Sequence, residues 1–461
     1  MSQAKTLFEP GSIAVVGASA NPKKAGFFIL NSILMHKYEG NVYPVNPNYS
    51  EINGLKCFPS LGHISGSVDL VIFVIPNTVI PSHLHECVNK KVRSILIISS
   101  GFRESGPDGA RLEDEIGAFC RENNILLLGP NSTGFVNSSR NLFATINYFK
   151  NWLDGPIAIA GQTGIFTGAF MDEIMSFECQ RLGFNKTLSL GNRAGFDERD
   201  FLEYVWKDED VKVVMLYLES FKNPREFFNL ARLVKKEKPI ILLKGGRTQQ
   251  GLTAARSHTG ALAEDDLLVD SLIKQHGLIR AYDIEEFFDL AKGFSYQPCP
   301  RGPRVGVITM SGANMTMIAD EISYSSLVLA PYEEQTINVF KKFLPPWQNI
   351  LNPADIGLAL TEGREVRERC LLAAMNDNNV DAVIFIDLAV ENSDFDGIRE
   401  MYKNVLESSP RKPLFLVLQG GETKKKWLRE IEGLNIPVYP TTGRAVKVLE
   451  AMYYYQRKKD R

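Results

Sequence analysis

The histidine at position 258 has the clearest capacity for chemistry in this chain. It lies among small residues in the run Ser257-His258-Thr259-Gly260-Ala261, shortly after Gly245-Gly246. Small residues let a backbone approach a ligand closely, and a glycine-rich segment can change its conformation. A neutral imidazole in such a segment can attack phosphorus and carry a phosphoryl group. Taken alone, a single histidine is more often a surface residue or a hydrogen-bonded polar group. Other residues must therefore decide whether His258 has a chemical role.

A carboxylate that could support this histidine follows an apolar run. Glu219 comes directly after residues 213–218, Val-Val-Met-Leu-Tyr-Leu. Doubly wound parallel sheets bind ligands at the carboxyl ends of their strands, where this side chain would lie. There it could accept the Nδ1–H of an imidazole, make Nε2 the nucleophile and stabilise the charged ring. The alternative is a strand-end carboxylate that faces water.

Two turns have the composition of phosphate sites. Gly161-Gln162-Thr163-Gly164 ends an apolar run before a segment of helical length, so it offers backbone N–H groups and a hydroxyl to an anion. The turn at Gly17 likewise joins a strand to a helix, and Lys23 or Lys24 adds positive charge. Each could equally be a strand–helix turn without a ligand.

The turn at Gly17 does not have the signature of a nicotinamide dinucleotide site. It lacks the GxGxxG pattern, and the following strand ends in Val45-Asn46-Pro47 without an acidic residue for the ribose. The turn therefore suits a nucleotide with phosphates better than a redox dinucleotide.

The elements that must position these residues alternate between short apolar runs and helix-length segments. Residues 13–16, 42–45, 70–75, 95–98 and 126–128 predict buried parallel strands, and residues 27–34, 80–88 and 110–121 predict the helices between them. This βαβ alternation predicts an α/β fold, with a doubly wound parallel sheet in residues 1–145.

The rest of the chain contains an internal repeat. Residues 157–164 resemble residues 305–312, and the Lys-Pro pair at 238–239 before a strand and a Gly-Gly pair recurs at 412–413. We therefore predict two flavodoxin-like doubly wound domains, residues 150–296 and 303–456, joined by a linker at 297–303. The second copy contains no histidine, so only the first can use histidine chemistry, and the second should be structural or part of an interface.

Composition excludes several classes of function. The 461 residues suffice for about three domains, and the 44% hydrophobic and 23% charged content is typical of a soluble protein. A net charge of -2 gives no general attraction to nucleic acid or anionic membrane. Six scattered cysteines without a CxxC pair predict reduced thiols and no metal site. With no signal-peptide pattern and no run long enough to span a bilayer, we expect a cytoplasmic protein.

The ordered motifs resemble those of the α subunit of ADP-forming acyl-CoA synthetases, relatives of succinyl-CoA synthetase, over essentially the whole chain. The resemblance depends on their order and spacing rather than on any single tripeptide. They are Gly17-Ala18-Ser19 with Lys24 and Gly26, Tyr43-Pro44-Val45-Asn46-Pro47, Gly54-Leu55-Lys56-Cys57-Phe58-Pro59-Ser60, Val74-Ile75-Pro76, Ser99-Ser100-Gly101-Phe102, Gly129-Pro130-Asn131, Gln162-Thr163-Gly164, Ser189-Leu190-Gly191-Asn192-Arg193, Tyr217-Leu218-Glu219 and Ser257-His258-Thr259-Gly260.

The resemblance implies a Rossmann-like CoA-binding domain followed by the two flavodoxin-like domains. His258 would be the phosphorylated nucleophile and Glu219 its supporting carboxylate. Gln162, Thr163 and Gly164 would bind phosphate, while Arg193 and Asp197 would have supporting roles. The residues expected to bind CoA are Gly17, Ser19, Lys24, Val45, Asn46, Pro47, Ile75, Pro76, Ser100, Gly101 and Asn131.

The implied reaction is acyl-CoA + phosphate + ADP ⇌ carboxylate + CoA + ATP, through an acyl phosphate and a phosphohistidine. A separate ATP-grasp β subunit would hold ADP or ATP with Mg²⁺, since no ATP-grasp domain follows residue 456, and an α2β2 assembly is expected. The chain departs from the usual family pattern at Gly161, Ser132, Ser220 and Glu264. These departures leave open a non-catalytic CoA-binding sensor or scaffold of the same fold, and a nucleotide-dependent oxidoreductase is a more distant alternative.

Overall fold

In the computed structural model the chain folds into two compact units. The first unit contains the described residues up to Arg280 except Arg181. The second unit contains Arg181 and the described residues from Ala281 onwards. No helix among the described residues is both long and apolar enough to cross a membrane. The structure describes residues 3–149, 151–165, 168, 171, 174, 181–259, 265–358, 363–389, 395–408 and 411–459, without the side chains of 255–259 and 395.

The first unit begins with a parallel sheet. Its inner strands are continuous apolar runs because helices cover both faces. The elements are α1 (Gln3–Phe8), β1 (Ser12–Val16), α2 (Ala25–Met35), β2 (Asn41–Val45), the hairpin β3 (Glu51–Ile52) and β4 (Leu55–Lys56), β5 (Leu70–Phe73), α3 (Pro81–Asn89), β6 (Ser94–Ile97), α4 (Pro107–Glu122) and β7 (Leu126–Leu128). The strand order is β2-β1-β5-β6-β7, and every pair is parallel.

The second sheet combines a parallel core with an antiparallel hairpin at one edge. Its elements are β8 (Gly134–Asn137), β9 (Leu142–Thr145), β10 (Ile157–Gly161), β11 (Phe184–Ser189), α5 (Glu198–Trp206), β12 (Val213–Leu218), α6 (Pro224–Val234), β13 (Ile240–Lys244), α7 (Gln249–Thr259), α8 (Asp266–His276) and β14 (Ile279–Ala281). The order is β14-β13-β12-β10-β11-β8-β9, and β8 runs antiparallel to both of its neighbours.

The third sheet lies in the second unit. Its elements are α9 (Ile284–Tyr296), β15 (Arg304–Thr309), α10 (Gly312–Ser323), β16 (Val328–Leu329), α11 (Glu334–Lys341), β17 (Ala354–Asp355), α12 (Arg364–Asn376), β18 (Ala382–Leu388), α13 (Phe395–Ser408), β19 (Leu414–Gln419), α14 (Thr423–Glu432), β20 (Val438–Tyr439) and α15 (Thr442–Lys458). The order is β16-β15-β18-β19-β20, and β17 also pairs with β15.

The strand orders confirm the internal repeat. In the second sheet β10 lies between β11 and β12, and in the third β15 lies between β16 and β18, so each parallel core has the flavodoxin-like order 2-1-3-4-5. The repeated lysines also have the same local role. Lys238 Nζ donates to the carbonyl oxygen of Val205 at 2.7 Å, and Lys412 Nζ donates to that of Asp377 at 2.7 Å. In both copies the lysine binds the carboxyl end of a preceding helix.

The sheets do not end where the predicted domains end. The hairpin of β8 and β9 lies within the predicted first domain but pairs with the second sheet, and α9 lies within the predicted second domain but belongs to the second unit. Residues 297–303 form no helix or strand and lie inside the second unit. Gln297 there is fixed, because its Oε1 accepts from Leu414 N at 3.0 Å. The domain boundaries predicted at residues 145–150 and 296–303 therefore remain predictions.

An aromatic cluster joins the N-terminal helix to elements of the second sheet. Phe8, at the end of α1, stacks on Tyr204 of α5 with ring centroids 4.5 Å apart, and its ring edge meets Phe135 of β8 at 5.1 Å. Burying such large rings contributes about 1.5–3 kcal/mol each. Thr6 Oγ1 of the same helix lies 2.6 Å from Ser94 Oγ of β6, so the N-terminal helix contacts elements of both sheets.

Candidate functional site

The residues expected to bind CoA lie along the carboxyl edge of the first sheet. Gly17 N donates to the carbonyl oxygen of Val45 at 2.9 Å, and Asn46 Nδ2 donates to that of Ala18 at 2.8 Å. Gly17 has φ +93°, and a Cβ there would lie only 2.4 Å from Val74 O. Only glycine fits this position. The turns after β1, β2 and β5 therefore lie side by side.

The turn after β1 is closely packed. Ser19 is buried, and its Oγ accepts from Asn21 N at 3.1 Å, so the hydroxyl helps to shape the turn. Lys24 is exposed at the start of α2, with extended backbone at φ -108°. A Cβ on Gly26 would lie 2.0 Å from Gly17 O, which explains a glycine in the first turn of this helix. Lys24 is thus placed to meet an anion at the helix N-terminus.

The same edge continues through the remaining expected CoA residues. Ser99 Oγ donates to the carbonyl oxygen of Ile75, Asn77 Nδ2 donates to that of Gly101, and Asn131 N donates to that of Ser99 at 3.0 Å. These bonds link Ile75, the turn at Ser100 and Gly101, and Asn131 into one continuous rim. Pro47 and Pro76 follow directly after two of these segments.

A carboxylate network connects this rim to the second sheet. Glu104 Oε1 accepts from Gly101 N at 2.7 Å, and its Oε2 accepts from Asn192 Nδ2 at 2.6 Å. Burial alone would raise the pKa of Glu104, but the hydrogen bonds from Asn192 and the backbone outweigh it and lower the pKa. Glu104 is therefore ionised at neutral pH and ties the rim to the loop after β11.

Gln162 holds the turn that carries Glu219. The side chain is 6% exposed, and its Oε1 accepts from Glu219 N at 2.6 Å and from Ser220 N at 2.9 Å. The sequence predicts Gln162 as a phosphate contact, but its amide oxygen has a structural partner, because the turn leaves two buried N–H groups that need an acceptor. The Nε2 group is the part of this side chain suited to donate to an anion.

Thr163 and Gly164 occupy the turn after β10, as predicted. Thr163 Oγ1 accepts from Ile165 N at 3.4 Å. A Cβ on Gly164 would lie 2.3 Å from Thr133 Cγ2, so the turn packs closely against the start of the hairpin segment. The segment of helical length predicted to follow falls mostly outside the described residues.

The Glu219 side chain lies in a confined and largely buried place. Tyr217 Oη donates to Glu219 Oε1 at 3.4 Å. A Cβ on Gly245 would lie 2.7 Å from Tyr217 Oη and 3.2 Å from Glu219 Cγ, so a larger residue would displace the carboxylate. Burial and the charge of Glu219 raise the pKa of Tyr217 to about 12. Tyr217 is therefore a neutral donor at physiological pH, and Glu219 is not the water-facing carboxylate of the alternative interpretation.

Lys244 ends the adjacent strand β13 and was missed as a site residue. Its Nζ donates to the carbonyl oxygens of Glu219 at 2.6 Å and Gly245 at 2.7 Å. A usable signal was present, since a charged residue closes the apolar run Ile240–Lys244 just as Glu219 follows the previous strand. Asn192 was also missed as a linking residue, because polarity alone does not tell which loop a side chain joins.

Arg193 and Asp197 have structural partners that fit supporting roles. Arg193 is held at φ +60°, with Nη1 donating to Glu198 Oε2 at 2.7 Å and to Ser220 O at 2.8 Å. A non-glycine residue in this region costs about 1–3 kcal/mol, and the surrounding hydrogen bonds hold Arg193 in it. Asp197 caps α5 by accepting from Arg199 N at 2.8 Å. Arg193 thus fixes Ser220, the neighbour of Glu219, from the opposite side to Gln162.

His258 lies in α7, which begins four residues after Gly245. Its side chain, and residues 260–264, lie outside the described part of the structure. Helix α7 lies next to the turn Arg103–Ser105, which begins two residues after the rim residue Gly101. The first unit therefore brings the histidine-bearing helix, the Glu219 turn and the rim to one edge.

The described part of the chain contains five of the six cysteines. Cys57, Cys87, Cys120, Cys299 and Cys370 are free thiols, while Cys179 lies outside the described residues. Across the described ranges no group of three or more histidine, cysteine, aspartate or glutamate side chains could hold a metal ion.

Comparisons with known proteins agree with this arrangement. Residues 11–138 match a CoA-binding domain family, and residues 154–294 match the succinyl-CoA ligase-like flavodoxin domain. The acetate–CoA ligase (ADP-forming) I subunit alpha of Pyrococcus furiosus is 35% identical, covering 99% of this chain and 98% of its own length. Acetate–CoA ligase (ADP-forming) II of Archaeoglobus fulgidus is 34% identical, and this chain spans 67% of it.

A solved structure extends the agreement to three dimensions. The acetyl-coenzyme A synthetase 1 of Ca. Korarchaeum cryptofilum, determined with phosphate and ADP, superposes with a TM-score of 0.93 at 32% identity, covering 100% of this chain and 98% of that one. Full-length identity to named ligase subunits favours the catalytic interpretation over the sensor or scaffold. The chain belongs to the family of ADP-forming acetate–CoA ligases and is a ligase built like their α subunits.

Proposed function

We propose that this chain catalyses, with a partner subunit, the reversible conversion of an acyl-CoA, phosphate and ADP into a carboxylate, CoA and ATP. The observation that carries the proposal is the fixed position of Glu219 at the carboxyl edge of the second sheet. Gln162 holds its N–H at 2.6 Å, and α7, which contains His258, begins a few residues beyond the adjacent strand. A carboxylate fixed beside a histidine-bearing segment suits an imidazole nucleophile.

The proposed reaction has three steps. Phosphate displaces CoA from the acyl-CoA, which breaks the thioester and gives an acyl phosphate and the free thiol. Nε2 of His258 then takes the phosphoryl group and releases the carboxylate, while Glu219 stabilises the positive imidazole. Finally the phosphohistidine gives the group to ADP, which forms ATP and restores the neutral histidine. Phosphoryl transfer depends mainly on positioning and charge stabilisation.

We assign the binding roles as follows. Residues 1–145 hold CoA through the rim after β1, β2, β5 and β6, residues 150–296 carry the phosphohistidine chemistry, and residues 303–456 have a structural or interface role. Gln162 Nε2, Thr163 and Gly164 meet the phosphate. The exposed Lys24 at the N-terminus of α2 supports the first assignment, since a helix N-terminus with a nearby cation favours a phosphate group.

The nucleotide belongs, in this proposal, to an ATP-grasp β subunit that also binds Mg²⁺, in an α2β2 assembly in the cytoplasm. Two observations support a partner: a similar chain is named a subunit alpha, and the ligase of Archaeoglobus fulgidus is a longer chain of which this one spans 67%. When bound there, Mg²⁺ would neutralise charge on the nucleotide phosphates.

The first half of the reaction can be tested with the chain alone. We would mix it with acetyl-, branched-chain and aryl-CoA and measure free thiol with and without phosphate. The proposal predicts phosphate-dependent release of up to one equivalent of CoA per chain, and turnover once an ATP-grasp subunit and ADP are added. CoA binding without thiol release, even with that subunit present, would contradict the proposal and favour a sensor or scaffold.

A further inference from the structure

Strand β13 has a buried lysine at each end. Lys244 ends the strand and is 3% exposed, while Lys238 lies two residues before its start and is 8% exposed. A buried ammonium is costly unless its donors are satisfied. Each of these lysines donates to two backbone carbonyl oxygens, so the two side chains share this contact at opposite ends of one strand.

The acceptors of Lys244 belong to two different segments of the candidate site. One is the carbonyl oxygen of Glu219, on the turn after β12, at 2.6 Å, and the other is that of Gly245, on the segment leading to α7, at 2.7 Å. Gln162 Oε1 binds the N–H of Glu219 at 2.6 Å from the other side. The backbone of Glu219 is thus fixed at both its donor and its acceptor.

We propose that Lys244 is a positioning residue for phosphoryl transfer. Its ammonium bridges the turn that carries Glu219 and the segment that leads to His258, and so sets the carboxylate relative to the phosphorylated imidazole. This inference rests on the proposed function. The three donor groups and positive charge of Lys244 allow one side chain to hold two carbonyl oxygens.

Gly245 lies close to Glu219, so the contacts that Lys244 makes with both residues affect the position of the Glu219 carboxylate. A Cβ at Gly245 would come within 3.2 Å of Glu219 Cγ, so the Gly245 segment lies directly against the Glu219 side chain. A methionine at position 244 would fill similar space but would leave both carbonyl oxygens without the ammonium. The two segments could then move apart while β13 remains buried.

The test compares Lys244→Met with the matched control Lys238→Met, using labelled phosphate and acyl-CoA to follow phosphohistidine formation. Both variants should lose thermal stability, because each leaves two carbonyl oxygens without their donor. Only Lys244→Met should slow phosphorylation, by about 10- to 100-fold, with an unchanged KM for acyl-CoA. Equal phosphorylation rates in the two variants would overturn the proposal, whereas an unlabelled wild type would count against the proposed function itself.

A second arm separates positioning from general destabilisation. Lys244→Ala should be restored in part by ethylammonium, which can occupy the vacated space and bind the two carbonyl oxygens, and Lys238→Ala should show no such gain in phosphorylation. If Lys244→Met does not fold, this arm and Lys244→Arg, which keeps the charge, carry the test. A folded Lys244→Ala with wild-type phosphorylation would refute the inference.

Discussion

Replacing Gln162 should separate the two tasks of this side chain. Its Oε1 accepts from two buried N–H groups, Glu219 N at 2.6 Å and Ser220 N at 2.9 Å. Methionine is similar in length but accepts almost nothing, so Gln162→Met leaves both N–H groups unpaired. Each buried donor left without a partner costs about 1–3 kcal/mol, which predicts a loss of about 2–6 kcal/mol in the free energy of unfolding.

Glutamate at the same position gives the opposite combination. In Gln162→Glu a carboxylate oxygen can still accept from both N–H groups, so this variant should lose much less stability than Gln162→Met. The added negative charge, however, lies where phosphate is proposed to bind, and the variant should form at least about 10-fold less phosphoenzyme, a difference of about 1.4 kcal/mol. Stability and phosphorylation should therefore respond differently in the two variants.

The assay is urea denaturation followed by tryptophan fluorescence, with phosphoenzyme measured on the same preparations. Gln297→Met is the matched control, since Gln297 is also buried and its Oε1 accepts from Leu414 N at 3.0 Å in the second unit. It should lose stability without losing phosphorylation. A Gln162→Met protein as stable as wild type, or equal losses of stability in Gln162→Met and Gln162→Glu, would refute the reasoning.

Three further variants test other parts of the site. Glu219→Gln should reduce phosphoenzyme by about 10- to 100-fold, because the imidazole loses its charged partner, while the CoA affinity measured by titration calorimetry should stay unchanged. Labelling of this variant at the wild-type level would contradict the role of Glu219. Gly245→Ala should lower phosphorylation several-fold, since its Cβ would lie 2.7 Å from Tyr217 Oη, and an unaffected rate would contradict the packing argument. Burial and the neighbouring Asp197 carboxylate raise the pKa of Asp200 from 3.8 to about 6. Ionised Asp200 therefore lowers the free energy of unfolding, and this loss is absent below about pH 4 and complete above about pH 6. Asp200→Asn should therefore raise the melting temperature relative to wild type at about pH 8 but not at about pH 4, and a pH-independent difference would count against this assignment.

The buried strands could be predicted because each appears in the sequence as a short continuous run of apolar residues. Residues 13–16 and 126–128 are continuous apolar runs, and both lie in the sheet as expected. The repeat was likewise visible, because Lys-Pro before a strand and Gly-Gly after it recur with the same structural neighbours. The position of Glu219 followed from one general property of parallel sheets, namely that strand ends meet at a common edge.

Long-range partners could not be predicted in the same way. The hairpin Gly134–Asn137 and Leu142–Thr145 follows the first sheet in sequence but joins the second, where β8 pairs with β11 and Phe135 packs against Phe8. The predicted strand at 70–75 ends at Phe73, because the following residues pack against Gly17 instead.

The contacts of the side chains in the candidate site could not be predicted from the sequence either. Sequence placed a polar residue at Gln162, but could not show whether its atoms meet a ligand or the backbone of Glu219. The contacts of Lys244 could not be predicted for the same reason, since its two acceptors come from segments that only the fold brings together.

The central claim is that His258 carries the phosphoryl group. The most direct measurement is labelling of the purified chain with radioactive phosphate in the presence of acyl-CoA, comparing wild type, His258→Asn and His276→Asn, a histidine substitution in the neighbouring helix. The account predicts acid-labile, base-stable label that requires acyl-CoA, vanishes in His258→Asn, persists in His276→Asn and transfers to ADP when an ATP-grasp subunit is added. Label that remains in a folded His258→Asn protein would contradict it.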